Sequence, residues 1–374
     1  MASYAYYRLP YDDHYTVMEQ TSGEPERVDS CAGLDGRSGF VVAPFAVSAD
    51  CPVLLVRPDR VECRPVPEDV CLTAGADVAG GQAGTAVSNV LRVRVDRESY
   101  SEDFADCHSR LASGEFRKIV LARSEDVETA EGVDAGVLFL RACRMYPRMF
   151  VVLVSTPVCG TWLAATPEVL LEGGGGRWHT IALAGTMELK DSQQGFDNPP
   201  LRQGDSSADG ISWSTKNIKE QRYVATYIAD RLARFSTDCH EEGPRTARAG
   251  NLVHLRSDFT FTLADGSHTG SLIETLHPTP AVCGLPKDAT FRHIVTNEHT
   301  RRSYYSGFIG PLNHDGYTHL YVSLRCMQIV DPCHYRLFAG GGLLKDSVEA
   351  QEWCETEAKM ETMKRLLTAT PNEE

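Results

Sequence analysis

Several features that announce common function classes are missing from this 374-residue chain. Basic residues are in short supply: 37 Lys and Arg stand against 51 Asp and Glu, a formal net charge of −14. A chain this acidic is a poor partner for nucleic acid or an anionic membrane surface. Long apolar runs are absent too; the longest with strand-like composition covers residues 149–154, far below the roughly 20 residues that span a bilayer. Residues 1–17 hold aromatics, Arg8 and Asp12-Asp13 in place of the apolar core and small-residue cleavage site of a secretory signal. Twelve cysteines are scattered singly, none in a C-x-x-C pair, which argues against a zinc ribbon or a thioredoxin-like motif. In a chain too long to need staples, they read as reduced, mostly buried thiols of a cytoplasmic protein. There is no G-x-S-x-G elbow, no H-E-x-x-H pair and no P-loop, so serine hydrolase, zinc protease and P-loop chemistries lack support.

What is present is enough apolar material for a large core, 42% hydrophobic residues with 24% charged. Length alone allows two or three domains or one large body. Short strands are expected over 40–47 and 53–57, and a Gly- and Ala-rich loop over 74–84. Helical spacing predicts helices over 100–113, 133–146, 215–235 and 348–367, the third with Ile218, Val224, Ile228 and Leu232 on one face. Strands are expected over 118–122, 150–155, 160–171, 178–183, 252–263, 308–312, 320–330 and 335–339. Residues 192–212 read as a polar exposed loop. Strands and helices intermix without regular βαβ alternation, which favours an α+β body over a doubly wound parallel sheet.

Some residues carry chemistry by type and position. Glu352, Glu355 and Lys359 fall at i, i+3 and i+7, on one helix face. They form either a solvated ion-pair face or oxygen ligands for a hard cation such as Mg²⁺, with Glu220 as a further carboxylate. Lys118 heads an apolar strand; its ammonium either reaches solvent or is desolvated toward the range of a general base. Glu168 borders an apolar strand, where burial would raise its pKa and suit it to donate a proton. His277 stands in Leu276-His-Pro-Thr-Pro-Ala281, a rigid loop. Gly173–Gly176 reads as a tight turn. Gly340-Gly-Gly342 would let backbone N–H groups approach an anion closely.

Taken together and in order, nine segments resemble the chorismate-utilising enzymes. They are Lys118-Ile-Val-Leu-Ala-Arg123, Thr166-Pro-Glu-Val-Leu-Leu171, Ala182-Leu-Ala-Gly-Thr186 and Lys216-Asn-Ile-Lys-Glu220, then Leu276-His-Pro-Thr-Pro-Ala-Val-Cys-Gly-Leu-Pro-Lys287. Tyr304-Tyr-Ser-Gly307, Val322-Ser-Leu-Arg325, Ala339-Gly-Gly-Gly342 and Glu352-Trp-Cys-Glu-Thr356 with Lys359 complete the set. The pattern is most similar to the isochorismate synthase branch of menaquinone and siderophore biosynthesis; a salicylate synthase and a catalytically weak chorismate-binding relative are the alternatives. The resemblance implies one α+β body of two packed antiparallel sheets with peripheral helices, residues 1–95 forming its variable N-terminal part and 96–374 its catalytic region. It implies a monomer that isomerises chorismate with Mg²⁺, Lys118 as base and Glu168 as acid. It further implies Glu220, Glu355 and Glu352 as metal ligands, with Ala184, Gly185, Thr186, His277, Tyr305, Arg325, Gly340 and Lys359 at the substrate. Arg301-Arg-Ser-Tyr-Tyr305 departs from the family's usual run before its tyrosine, as does the Gly-, Pro- and Ser-rich character of 191–214.

Overall fold

The computed structural model describes residues 2–68, 90–188, 212–249, 252–263 and 268–368. The loop expected over 74–84 and almost all of the loop expected over 192–212 lie outside the described residues. Two antiparallel sheets dominate. The first runs in the order β15 (Gly284–Leu285), β8 (Lys118–Thr129), β19 (His334–Leu343), β18 (Cys326–Asp331), β10 (Gly160–Thr166), β9 (Phe150–Thr156), β1 (Ser3–Arg8), β2 (His14–Gln20) and β6 (Arg60–Pro65), with β7 (Val90–Val95) also pairing β8. The second runs β13 (His240–Ala249), β14 (Leu252–Thr262), β12 (Arg177–Glu188), β11 (Val169–Gly174), β17 (Tyr317–Val322), β16 (Phe308–Leu312), β4 (Gly39–Ala43), β5 (Val53–Val56) and β3 (Glu26–Val28). Strands from the first 65 residues thus extend both sheets. Among the described residues six α-helices join them: α1 (Arg97–Ser113), α2 (Ala135–Met145), α3 (Thr215–Leu232), α4 (Thr269–Leu276), α5 (Lys287–Asn297) and α6 (Glu349–Thr368).

The strands read as continuous apolar runs because both of their faces are covered. In β9, Phe150, Val152 and Val154 enter the core between the sheets, while Val151 and Leu153 pack with residues of α2 and α6. In β4, Phe40 and Val42 share the inter-sheet core, while Val41 and Ala43 join the cluster beneath α3 and α4. The alternation follows directly from the two-residue period of a strand. At about 25 cal/mol per Å² of apolar surface removed from water, such double-sided burial is the main stabilising contribution.

The expected elements need correction at three places. The strands read over 160–171 and 320–330 each divide, into β10 and β11 and into β17 and β18, because the chain passes from one sheet to the other within each run. Ile218 is half exposed while Glu220 and Gln221 are buried, since six residues along a helix rotate Ile218 away from Val224 and its row. β13, α4 and α5 were not anticipated; the first carries Glu241, Glu242 and Arg245 and lacks an apolar alternation. The turn at Gly173–Gly176 is as expected, with Gly175 and Gly176 both at positive φ in the β11–β12 hairpin. No helix among the described residues is long and apolar enough to cross a membrane.

A polar ladder ties the second sheet together across its strands. Glu172 on β11 accepts from His319 Nδ1 at 2.6 Å and lies 3.6 Å from His179 Nδ1. The Nε2 of His179 bonds Asp258 at 2.8 Å, and Asp258 is paired in turn with Arg245 and Arg256. Burial pulls the His179 pKa down, but Asp258 and Glu172 together hold it above the ordinary value. Stability from the charged His179 is therefore complete below its unfolded value of 6.5 and is lost as pH rises through the raised one. Glu172→Gln is expected to lower the melting temperature more at pH 6 than at pH 9, with a cost of about 1–3 kcal/mol at the lower pH. Equal losses at both values would show that the ladder does not stabilise through histidine charge.

Candidate active site

Two crossings between the sheets place the central side chains. At the first, Thr166-Pro-Glu168 carries the chain from β10 to β11; at the second, Ser323-Leu-Arg325 carries it from β17 to β18. The crossings bond each other: Val322 N–H donates to the Glu168 carbonyl at 2.9 Å and Ala165 N–H to the Arg325 carbonyl at 3.0 Å. Arg325 holds φ at +45°, a left-handed conformation that costs energy for a residue with a Cβ. Glu168 and Arg325 are both buried and line one cleft. Ala184, Gly185, Thr186, Glu220, Tyr305, Gly340 and Lys359 line it as well, with Val120, Val282, Leu324 and Phe338 among its apolar walls.

Three further predicted residues stand directly behind this lining. Lys118 is wholly buried at the start of β8; its Nζ donates to the Pro280 carbonyl at 2.8 Å and lies 3.1 Å from Glu220 Oε1. Burial excludes the reading in which this ammonium reaches solvent. Glu355 accepts from Lys359 Nζ at 2.7 Å, and the same ammonium donates to the Gly340 carbonyl at 2.8 Å. Glu352 is buried on α6 and pairs with Lys216 of α3. Helix α6 is fixed over the first sheet by Glu125 of β8, which pairs with Lys364 and Arg123 at 2.6 Å each, and by Arg123 stacked 3.8 Å from the Trp353 ring.

His277 is the exception. It is buried at the end of α4, faces the Pro44 carbonyl through Nε2 at 3.2 Å and packs edge-on against Phe308. Burial, with Lys287 nearby, pushes its pKa down to about 3. The structure therefore puts this neutral imidazole in the packing beneath the Pro-rich loop and outside the cleft lining. The residue that does enter the cleft is His254 on β14, singled out by nothing in the sequence except a polar side chain in an apolar strand. Its Nδ1 faces the Gly185 carbonyl at 3.2 Å and its Nε2 lies 3.0 Å from Arg325 Nη2. Burial, then the charges of Arg325 and Lys359, hold its pKa well below 6.5. A neutral ring with Nδ1–H on the carbonyl leaves Nε2 to accept from the guanidinium, orienting Arg325 without cancelling its charge.

The cleft shifts its acids apart. Burial pushes Glu168 up to about 7 against the opposing charges of Lys118, Lys359 and Arg325. Burial also raises Glu352, with Glu355 adding to the effect. Burial would raise Glu355 as well, but Lys359, Lys216 and the Thr186 hydroxyl together hold its carboxyl below the ordinary range. Arg325 is drawn down to about 10 by burial, with Glu355 resisting. Such separation of neighbouring carboxyl groups is what divides proton-donating from charge-holding roles.

The three glycines of β19 lie inside the sheet, paired with Val120 to Ala122 of β8. They continue the strand, and Gly340 and Gly342 line the cleft. A Cβ on Gly342 would overlap Glu220 Oε1, one on Gly340 would stand 2.7 Å from the Tyr305 hydroxyl, and one on Gly341 3.2 Å from Glu352 Oε2. The strand is bare so that two carboxylates and a phenol can crowd against it. Glu352 Oε2 is buried without a hydrogen-bond partner, and every acidic donor at this edge is a carboxylate oxygen, the ligand type that Mg²⁺ takes. The residues therefore fit a hard divalent cation, although their oxygens are not drawn together: among the described residues the one set of three ligand atoms within 4.8 Å is the exposed Asp12, Asp13 and His14. The eleven cysteines among the described residues are all free.

Comparison with known proteins shows the family and the fold. Residues 78–368 match the family described as chorismate binding enzyme. Isochorismate synthase EntC of Escherichia coli K12 is 28% identical over 269 residues, 72% of this chain and 66% of that protein. Isochorismate synthase DhbC of Bacillus subtilis 168 is 30% identical over 278 residues, 72% of this chain and 68% of that protein. The match thus spans about two-thirds of the length of either relative. The solved structure of MenF, the menaquinone-specific isochorismate synthase from Escherichia coli, superposes with a TM-score of 0.76 at 22% identity, covering 98% of this chain and 88% of that one. Its agreement is one of fold: two antiparallel sheets with helices outside.

The Glu168 shift has a consequence for stability. A carboxyl whose folded pKa, about 7, exceeds its unfolded value of 4.5 holds its proton better in the folded state. Its contribution therefore falls as pH rises from about 4.5 to about 7 and is flat above. Glu168→Gln, which mimics the protonated acid, is expected to melt no lower than the native chain at pH 8 and to lose that advantage at pH 5. Gly342→Ala, by contrast, is expected to cost about 1–3 kcal/mol at either pH because Glu220 must move. Thermal melts of both variants at the two pH values test this.

Proposed function

We propose that this chain, which belongs to the chorismate binding enzyme family, is an isochorismate synthase, an isomerase that exchanges the ring hydroxyl of chorismate from C4 to C2. The observation that carries the reading is a buried carboxyl poised near pH 7, in one cleft with Arg325 and Lys359 and backed by a buried lysine. Arg325, held by His254, is suited to a substrate carboxylate because its fork is planar and always charged. Lys118, once neutral, takes a proton from water as the water oxygen bonds to C2. The ring double bonds shift, the C4–O bond breaks, and Glu168 gives its proton to the departing oxygen, which leaves as water. No electron is gained or lost, and one water enters as another departs.

Glu220 and Glu355, with Glu352 beside them, would hold Mg²⁺, whose charge when bound would offset that of a substrate carboxylate. Residues 1–95 are proposed as the variable part of the same fold and 96–374 as its catalytic region, acting in the cytoplasm.

Purified protein with chorismate and Mg²⁺, its products separated by chromatography, tests the activity; isochorismate alone is expected. Salicylate with pyruvate would assign the chain to a salicylate synthase, and absence of turnover would make it a binding relative. Removal of Mg²⁺ by a chelator is expected to abolish turnover and its return to restore it. Lys118→Ala and Glu168→Gln are each expected to lose on the order of 10²–10⁴ in kcat with the fold retained. Because Glu168 must be protonated while Lys118 must be neutral, any rise of kcat/KM with pH in the native chain is expected to stop at about 7, where Glu168 begins to lose its proton. A profile still rising at pH 9 would remove Glu168 from the acid role.

A further inference from the structure

We infer that the outer face of α3 carries a second binding site, distinct from the cleft, for a small aromatic carboxylate. A cavity of about 810 Å³ opens there, between α3 and the segment running from Leu285 into α5. Lys219, Tyr223, Tyr227 and Arg231 line it at strict four-residue spacing, so they form one ridge with cations at both ends and two aromatic rings between. Arg117 and Lys287 supply the facing wall. The Arg117 guanidinium lies 5.9 Å from the Tyr223 ring, Arg231 4.9 Å and Lys287 Nζ 5.9 Å from the Tyr227 ring. Tyr227 is itself fixed, its hydroxyl donating to the Thr275 carbonyl at 3.0 Å.

The charge of this wall is open to a ligand. Among the described residues, Arg117, Lys219, Arg231 and Lys287 have no carboxylate within ion-pair distance, whereas Arg222 beside them is committed to Glu241 at 2.7 Å. Asp230 and Asp288 also line the cavity, which leaves four unpaired cations against two acids. In a chain of net charge −14 this is a local reversal of sign. A ring laid against the tyrosines with its carboxylate on an arginine uses both features, and the cavity has the size of a small-molecule site. A Glu-rich peptide would instead have to lie along the ridge across Asp230 and Asp288, which disfavours it.

Occupancy of the groove would reach the cleft through the backbone. Arg117 precedes Lys118, and its N–H donates to the Leu285 carbonyl at 2.8 Å. Lys287 Nζ donates to the His277 carbonyl at 2.7 Å, at the head of the loop whose Pro280 carbonyl receives Lys118. The ligand would thus bear on the peptide units that house the proposed base.

Titration calorimetry of the full chain with benzoate as the probe tests the site and does not depend on turnover. Saturable binding is expected, weakened at least about tenfold in a Lys219→Ala, Arg231→Ala double variant of unchanged melting temperature and unaltered in Arg325→Ala. Three results would each overturn the proposal. They are no binding at millimolar benzoate, binding lost in Arg325→Ala but kept in the double variant, or a Glu-rich peptide captured through Lys219 and Arg231 where benzoate is not.

Discussion

The mutual clasp of the two inter-sheet crossings is the constraint on which the rest of the cleft depends. Two sheets packed face to face leave no natural place for a charged side chain, since their facing residues interdigitate as apolar layers. Where a strand leaves one sheet and enters the other, its side chains are released from that alternation. Glu168 and Arg325 occupy two such points, and the paired backbone bonds from Val322 and Ala165 hold the points together. The positive φ of Arg325 is part of the same geometry: without the turn, the guanidinium would continue the outward or inward alternation of a strand. Strain at this residue is therefore offset by the buried bonds of both crossings.

Around that clasp, the cleft is arranged to keep charges close without letting them cancel. Lysines 118, 216 and 359 are each lodged against a carboxylate, Glu220, Glu352 and Glu355 in turn. Among the described residues, Arg325 is the cleft cation with no acidic partner at hydrogen-bond distance; it leans on the neutral His254 and, at 3.4 Å, the Thr362 hydroxyl. An acid in place of His254 would have satisfied the guanidinium more strongly and removed its attraction for an anion. The bare glycine strand serves the same end from the opposite wall, since side chains there would force Glu220 away from Lys118.

Much of this was legible in the sequence, though unevenly. The elements with a full apolar period, such as 308–312 and the last helix, fall where expected, because the pattern that marks them is the pattern that packs them. The crossings were not legible as such: 160–171 and 320–330 read as single strands, since a change of sheet alters hydrogen-bond partners but not composition. Resemblance placed Glu168, Glu220, Tyr305, Arg325, Gly340 and Lys359, and the structure brings them to one cleft. His277 and His254 were exchanged in effect. A histidine between prolines draws attention, and one within Leu-Val-His-Leu looks like packing, yet only tertiary geometry decides which of them meets the arginine.

Net charge illustrates the same separation of scales. At −14 the chain repels polyanions, whose many phosphates sample the whole surface. A small anion samples only its immediate surroundings, because charges beyond about 8–10 Å are screened. Within the cleft those surroundings are four cations, Lys118, Lys216, Arg325 and Lys359, against Glu220, Glu352 and Glu355, with Glu168 largely uncharged below pH 7. When Lys118 is neutral, as the proposed base must be, the local sum falls to zero; while Lys118 is charged it is slightly positive even with every one of the three carboxylates ionised. It becomes more so if Glu352, raised by burial, holds its proton. A small carboxylate entering the cleft would therefore meet attraction despite the acidic whole, and Glu168, held protonated by burial, is the group that tips the balance.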